Sequence, residues 1–94
     1  MGTLVGSAAG DTLRGTNATE VFLALGGDDL IQAGAGSDRV CAGPGADRVM
    51  GEGGDDQLAG GPGSDSLDGG SGTDRCDGGP GSDTAVRCEQ RNGI

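Results

Sequence analysis

Residues 60–77 read G-G-P-G-S-D-S-L-D and then G-G-S-G-T-D-R-C-D, two nonapeptides with glycine at the first, second and fourth places, an acid at the sixth and an apolar residue at the eighth. Stepping outward from this pair by nine residues at a time divides residues 6–86 into nine units without an insertion. The sixth place is always acidic: Asp11, Glu20, Asp29, Asp38, Asp47, Asp56, Asp65, Asp74 and Asp83. The eighth is always apolar or small: Leu13, Phe22, Ile31, Val40, Val49, Leu58, Leu67, Cys76 and Ala85. Glycine holds the fourth place in the last seven units, whereas Ala9 and Ala18 hold it in the first two, so residues 6–23 are degenerate. Pro44, Pro62 and Pro80 share the third place at a spacing of 18, which makes alternate units distinct, as they are when two units complete one turn of a solenoid.

Composition alone would suggest something else. A chain of 94 residues with 32% hydrophobic content and a single aromatic, Phe22, has little with which to build a conventional core. With 23 glycines and a net charge of −9 it has the profile of a flexible acidic linker. Register excludes that, because a disordered chain has no reason to keep an acid and an apolar residue in fixed phase. The chain has no His, Trp or Tyr, which removes Ser–His and Cys–His chemistry, imidazole metal ligands and base-stacking platforms. Its acidity disfavours nucleic acid and anionic membranes and favours cations. No apolar run approaches the roughly 18 residues of a membrane span, and the first ten residues lack the basic start and apolar stretch of a signal peptide.

The pattern resembles the calcium-binding nonapeptide repeats of the RTX (haemolysin-type) family, G-G-x-G-x-D-x-U-x, over residues 6–86. The resemblance implies an all-β fold, a right-handed parallel β-roll with two repeats per coil and about four and a half coils here. Six residues of each unit would form a loop and three a short strand, with Ca²⁺ between loops of successive coils. Residues 1–5 are then an N-terminal extension and residues 87–94 a C-terminal cap or tail.

The chemistry suits that assignment. Ca²⁺ takes six to eight oxygen ligands and accepts carboxylates and backbone carbonyls alike. Glycines at 34, 36, 43, 45, 51, 54, 61, 63, 70, 72, 79 and 81 (Gly34, Gly36, Gly43, Gly45, Gly51, Gly54, Gly61, Gly63, Gly70, Gly72, Gly79 and Gly81) are expected to turn the loops and aim carbonyls inward. The acids supply the charged ligands. Strands in a stack lie about 4.8 Å apart, so acids 18 residues apart are expected to face each other across an ion-sized gap. Asp29/Asp47, Asp38/Asp56, Asp47/Asp65, Asp56/Asp74 and Asp65/Asp83 give five expected sites. Asp11/Asp29 and Glu20/Asp38 would bring the number to seven, but those loops lack the inner glycines and are expected to be weak or empty. Leu25 replaces the second glycine in the loop of Asp29, and Glu52, at the same place, offers an extra carboxylate. Two carboxylates about 5 Å apart repel by roughly 0.8 kcal/mol in water and about 3 kcal/mol at an effective dielectric near 20. The expected consequence is an apo chain that is disordered until calcium binds. Asp28, Asp55, Asp68, Asp77 and Glu89, out of phase, are expected to be plain surface charge.

Three cysteines in such a chain suggest an oxidising compartment. In the roll that the resemblance implies, Cys76 points inward on the last complete coil and Cys88 follows the last unit by two residues, so a Cys76–Cys88 bridge that staples the cap is expected, with Cys41 outward and free. The alternative is three small apolar residues in a reducing cell. Val21, Phe22, Leu23 and Leu25 form an apolar cluster that would either cap the N-terminal end or dock on a neighbouring domain. A C-terminal secretion signal of the RTX kind does not fit the short tail, so the expected origin is a fragment of a larger bacterial protein exported from a cleaved precursor.

The functional expectation is a secreted, calcium-binding structural module, a spacer, stabiliser or folding trigger, and not an enzyme. An ice- or polysaccharide-binding surface would need a ladder of identical outward residues. The fifth place instead mixes Gly10, Thr19, Asp28, Ser37, Ala46, Asp55, Ser64, Thr73 and Ser82. A hydrolase or epimerase would need its catalytic residues elsewhere, since carboxylate pairs engaged with metal offer neither a raised-pKa acid nor a cleft.

Overall fold

The computed structural model describes residues 2–92, so Met1 of the expected extension, and Gly93 and Ile94 of the expected tail, lie outside the described residues. The chain is all β. Its strands are β1 (Gly2–Val5), β2 (Thr12–Arg14), β3 (Glu20–Leu23), β4 (Leu30–Gln32), β5 (Arg39–Cys41), β6 (Arg48–Met50), β7 (Gln57–Ala59), β8 (Ser66–Asp68), β9 (Arg75–Asp77), β10 (Thr84–Val86) and β11 (Gln90–Asn92). They alternate between two parallel sheets, in the orders β1-β3-β5-β7-β9-β11 and β10-β8-β6-β4-β2. Each unit therefore contributes one strand, and two units make one coil. Successive strands of a sheet pair at a shift of 18, as in Val40↔Leu58 and Val49↔Leu67. Two strands fall outside the nine units: β1 pairs with β3 and β11 with β9, which lengthens the roll to about five turns. Among the described residues no helix is long and apolar enough to cross a membrane.

Three-residue strands suffice because only the middle residue has to be inside. In β5 through β8 the seventh-place residue is exposed, the eighth buried and the ninth half-buried or exposed. Phe22, Val40, Leu58 and Cys76 from one sheet and Ile31, Val49 and Leu67 from the other thus form a thin core between the sheets. The first place faces inward as well, a feature the sequence pattern did not flag. Ala24, Ala33 and Ala42 are fully buried there.

The loops turn at the second and fourth places, where φ is positive for Gly34, Gly36, Gly43, Gly45, Gly54, Gly61, Gly63, Gly70, Gly72, Gly79 and Gly81. Gly27 joins them, and Gly51 does not: it holds a first place, where the backbone is not left-handed. Leu25 and Glu52 adopt positive φ (66° and 65°) despite their Cβ atoms, because stacking between glycine-turned loops dictates the path. Such a conformation costs an L-residue about 1–2 kcal/mol. Of the apolar N-terminal cluster, Phe22 is in the core while Leu25 turns outward and is 46% exposed.

Cys76 and Cys88 form a disulfide with Cα atoms 6.0 Å apart. Cys41 is a free, exposed thiol. Both agree with the expectation from the roll.

Candidate metal centre

Each sixth-place Asp stands immediately before its strand, Glu20 opens β3, and from Asp29 to Asp74 the side chain turns into the roll. Asp29, Asp38, Asp47, Asp56, Asp65 and Asp74 are at most 3% exposed. They do not confront one another carboxylate to carboxylate, as expected from the stacking alone. Instead one oxygen of each accepts a hydrogen bond from the backbone N–H of the acid one coil earlier. Asp29 N–H donates to Asp47 Oδ1 at 2.8 Å, Asp38 N–H to Asp56 Oδ1 at 2.8 Å, Asp47 N–H to Asp65 Oδ1 at 2.9 Å, and Asp56 N–H to Asp74 Oδ1 at 2.8 Å. Asp65 N–H continues the ladder to Asp83 Oδ1 at 2.7 Å. Toward the N-terminus, Asp11 and Glu20 N–H donate to Asp29 and Asp38 at 2.7 and 2.9 Å. The expected pairs are therefore neighbours, joined through the backbone.

The other oxygen is the informative one. Oδ2 of Asp29, Asp38, Asp47, Asp56, Asp65, Asp74 and Asp83 is buried and has no hydrogen-bond partner. A buried carboxylate oxygen left without a partner costs more than a neutral one, about 1–3 kcal/mol or above, unless a proton or a cation meets it. In the loops that begin at Gly51, Gly60 and Gly69, the Oδ2 lies against the first-place glycine, where a Cβ would collide with it.

Backbone oxygens also line the gaps between successive loops. The carbonyls of Gly27, Gly36, Gly45, Gly54 and Gly63 come up against the α-carbons of Gly45, Gly54, Gly63, Gly72 and Gly81 in the next coil, and no Cβ fits at those five positions. The carbonyl of Gly69 points back toward Gly51. Among the described residues no three acidic or thiol side chains converge on one point. Any cation held here thus takes one or two carboxylates and completes its shell with main-chain carbonyls, a hard all-oxygen set of the kind calcium accepts.

The two degenerate loops differ in that respect. Asp11 Oδ2 accepts from Ser7 N–H at 2.6 Å and Ser7 Oγ at 3.1 Å. Glu20 Oε1 accepts from Thr16 N–H at 2.7 Å and Oε2 from Thr16 Oγ1 at 3.0 Å. Their carboxylates are satisfied inside their own loops, and neither has an orphaned buried oxygen.

Burial also sets the proton affinity. Desolvation, aided by the acids one coil away and opposed by the backbone N–H bond, pushes Asp47 and Asp56 up to about 7 and Asp65 to about 6. Burial likewise raises Asp38 and Asp74 above the usual carboxylate range.

All five acids expected to be plain surface charge have structural partners, Asp77 through the Gly79 N–H at 3.1 Å. Asp28 Oδ1 accepts from Ala46 N–H at 2.9 Å and Asp55 Oδ1 from Thr73 N–H at 2.8 Å, each bridging one coil to the next. Asp68 pairs with Arg87, whose Nε lies 2.9 Å from Oδ1, and the guanidinium holds the Asp68 carboxyl below the ordinary range. Glu89 accepts from Asp74 N–H at 2.7 Å. Fifth-place acids that recur beside a sixth-place acid were the available signal for Asp28 and Asp55.

The model of the RTX calcium-binding nonapeptide repeat (4 copies) matches residues 14–49 and again residues 50–85, well over half of the chain. The chain belongs to this family. The match leaves out most of the first degenerate unit, whose acid is closed off by Ser7. A comparison with curated proteins found no match. RTX repeats bind Ca²⁺ and serve as non-catalytic structural units.

Proposed function

We propose that this RTX roll is a calcium-dependent structural module of a secreted bacterial protein, which orders when it meets calcium outside the cell and then acts as a spacer, stabiliser or folding trigger. The observation that carries this is the row of buried, partnerless Oδ2 atoms, repeated in seven consecutive units. Five interior sites follow, at Asp29/Asp47, Asp38/Asp56, Asp47/Asp65, Asp56/Asp74 and Asp65/Asp83. Calcium supplies the positive charge and the coordination directions that these oxygens lack. The loops of Asp11 and Glu20, closed by Ser7 and Thr16, bind weakly or not at all. Exposed Val5 and Leu25 support a neighbouring domain of the parent protein at the N-terminal end.

A far-UV circular dichroism titration tests this. In chelator the spectrum is expected to be coil-like, turning β-rich as calcium enters the millimolar range that suits extracellular modules, with magnesium far less effective. A β-rich spectrum in excess chelator, or a coil spectrum at saturating calcium, contradicts it.

The acids also fix the sign of a pH effect. Asp47, Asp56 and Asp65 bind protons more tightly folded than unfolded, so the metal-free roll gains stability as pH falls. Their contribution is complete below the unfolded value near 3.8 and is lost as pH rises through about 6 to 7. In chelator, ellipticity is therefore expected to be more β-like at pH 4 than at pH 8. Protons compete for the same oxygens, so calcium affinity falls over the same range.

A further inference from the structure

The acid ladder does not stop where the repeat does. One full coil beyond Asp74 in the repeat's own count is Asn92, yet the N–H of Asp74 donates to Glu89 Oε1, 15 residues on, at 2.7 Å. The strand pairing makes the same step, Gln90↔Arg75 instead of the usual shift of 18. The last loop is therefore three residues short, and Glu89 stands immediately before β11 just as each sixth-place Asp stands before its own strand.

Arg87 takes the first place of this shortened loop. Its carbonyl comes against the α-carbon of Gly69, as the Gly69 carbonyl does at Gly51. The shortcut is made by Arg87 in the left-handed region (φ 53°) and by the Cys76–Cys88 disulfide, which pins the residue between Arg87 and Glu89 to the core. The extra methylene of Glu lets the carboxylate reach the ladder from the shorter path. An independent feature points to a ligand: Asp74 is 1% exposed, and its Oδ2 has no partner. That oxygen and the Arg87 carbonyl both crowd the space beside Gly69 that a Cβ would fill.

We propose that Asp74, Glu89 and the Arg87 carbonyl form a further calcium site at the C-terminal end of the roll, beyond the five interior ones, with the disulfide as its positioning element. It rests on the calcium reading of the interior sites. Sequence phase hides it, since residue 89 falls at the third place of a tenth unit and not at the sixth.

Native mass spectrometry of the oxidised protein in calcium, set against the Glu89→Gln variant, tests the proposal. The amide keeps an oxygen for the Asp74 N–H and removes only the charge, so the β-rich spectrum is expected to persist. The variant is expected to carry one calcium ion fewer than the parent. The double variant Cys76→Ala/Cys88→Ala, which frees residue 89 from the core, is expected to lose the same single ion. Equal ion counts in parent and Glu89→Gln overturn the terminal site and leave the interior sites standing. Loss of every ion from Glu89→Gln alone overturns it too, because residue 89 would then be a requirement for folding and not a local ligand. Absence of bound calcium from the parent itself overturns both readings.

Discussion

Asp56→Ala is expected to raise the calcium concentration at the folding midpoint at least about tenfold, equivalent to about 1.4 kcal/mol. Asp56 is 1% exposed and is shared by two of the proposed interior sites, so the truncation would remove one charge from each. It also strips the Asp38 N–H of the Oδ1 that it meets at 2.8 Å, leaving a buried donor unpaired at a cost of about 1–3 kcal/mol. Asp56→Asn separates the two effects. It retains an oxygen for the Asp38 N–H and loses the charge, so its midpoint is expected to rise while the calcium-loaded spectrum stays β-rich. Asp28→Ala is the control. Asp28 is exposed and holds one backbone N–H, that of Ala46, so its midpoint is expected to move less than about threefold. Calcium titrations of the three variants by circular dichroism read these shifts directly, and an unchanged midpoint in both Asp56 variants contradicts the role given to the sixth place.

Leu58→Ala is expected to cost the calcium-loaded roll about 2–5 kcal/mol in urea or guanidinium unfolding. Leu58 is 2% exposed and lies in register between Val40 and Cys76, in a thin core between two sheets. The backbone ladders above and below hold the coils apart, so the space left by the side chain closes only in part and a cavity penalty adds to the lost burial. That is a large share of the total stability of a typical domain, about 5–15 kcal/mol. Ala85, only partly buried near the C-terminal end, provides the contrast: Ala85→Gly removes one methyl and is expected to cost about 1 kcal/mol. A loss below about 0.5 kcal/mol for Leu58→Ala would mean that the eighth place is not where the roll is held together.

Much of the fold was legible because a nonapeptide period leaves little freedom. An acid and an apolar residue two places apart in every unit require a loop and a strand of fixed length, and the 18-residue alternation of Pro44, Pro62 and Pro80 pairs units two apart. The Cys76–Cys88 disulfide followed from the same geometry. What stayed hidden lay where the period fails or where it is silent. β1 keeps the phase, with Leu4 at an eighth place opposite Phe22, but has Gly2 where the acid should be, whereas β11 pairs at a shift of 15 and is out of phase, so neither carried the full signature. Glu89 joins the ladder only because the last loop is three residues short, which becomes visible once β11 is paired to β9. The buried first place is a consequence of inward-turned Asp side chains, which need Gly or Ala next to them. The pattern of glycines could not distinguish that steric demand from the left-handed backbone required at the second and fourth places, and Gly51 belongs to the first kind.

The two degenerate loops are instructive for a different reason. Ser7 and Thr16 looked like losses relative to the glycines of later units, yet each donates twice to the acid four residues on. A hydroxyl and a backbone N–H there partner carboxylate oxygens that are left without a partner further along, which is why those two loops are proposed to need no metal.

If the orphaned oxygens of the sixth-place acids hold calcium between coils, the ions will be visible by anomalous diffraction from crystals grown in calcium. Peaks are expected in two rows, one along each stack of loops, beside Oδ2 of Asp29, Asp38, Asp47, Asp56 and Asp65, with none at Asp11 or Glu20. A roll whose Oδ2 atoms have no peak beside them, or whose peaks lie only on surface acids such as Asp28 and Asp55, would contradict that placement of calcium.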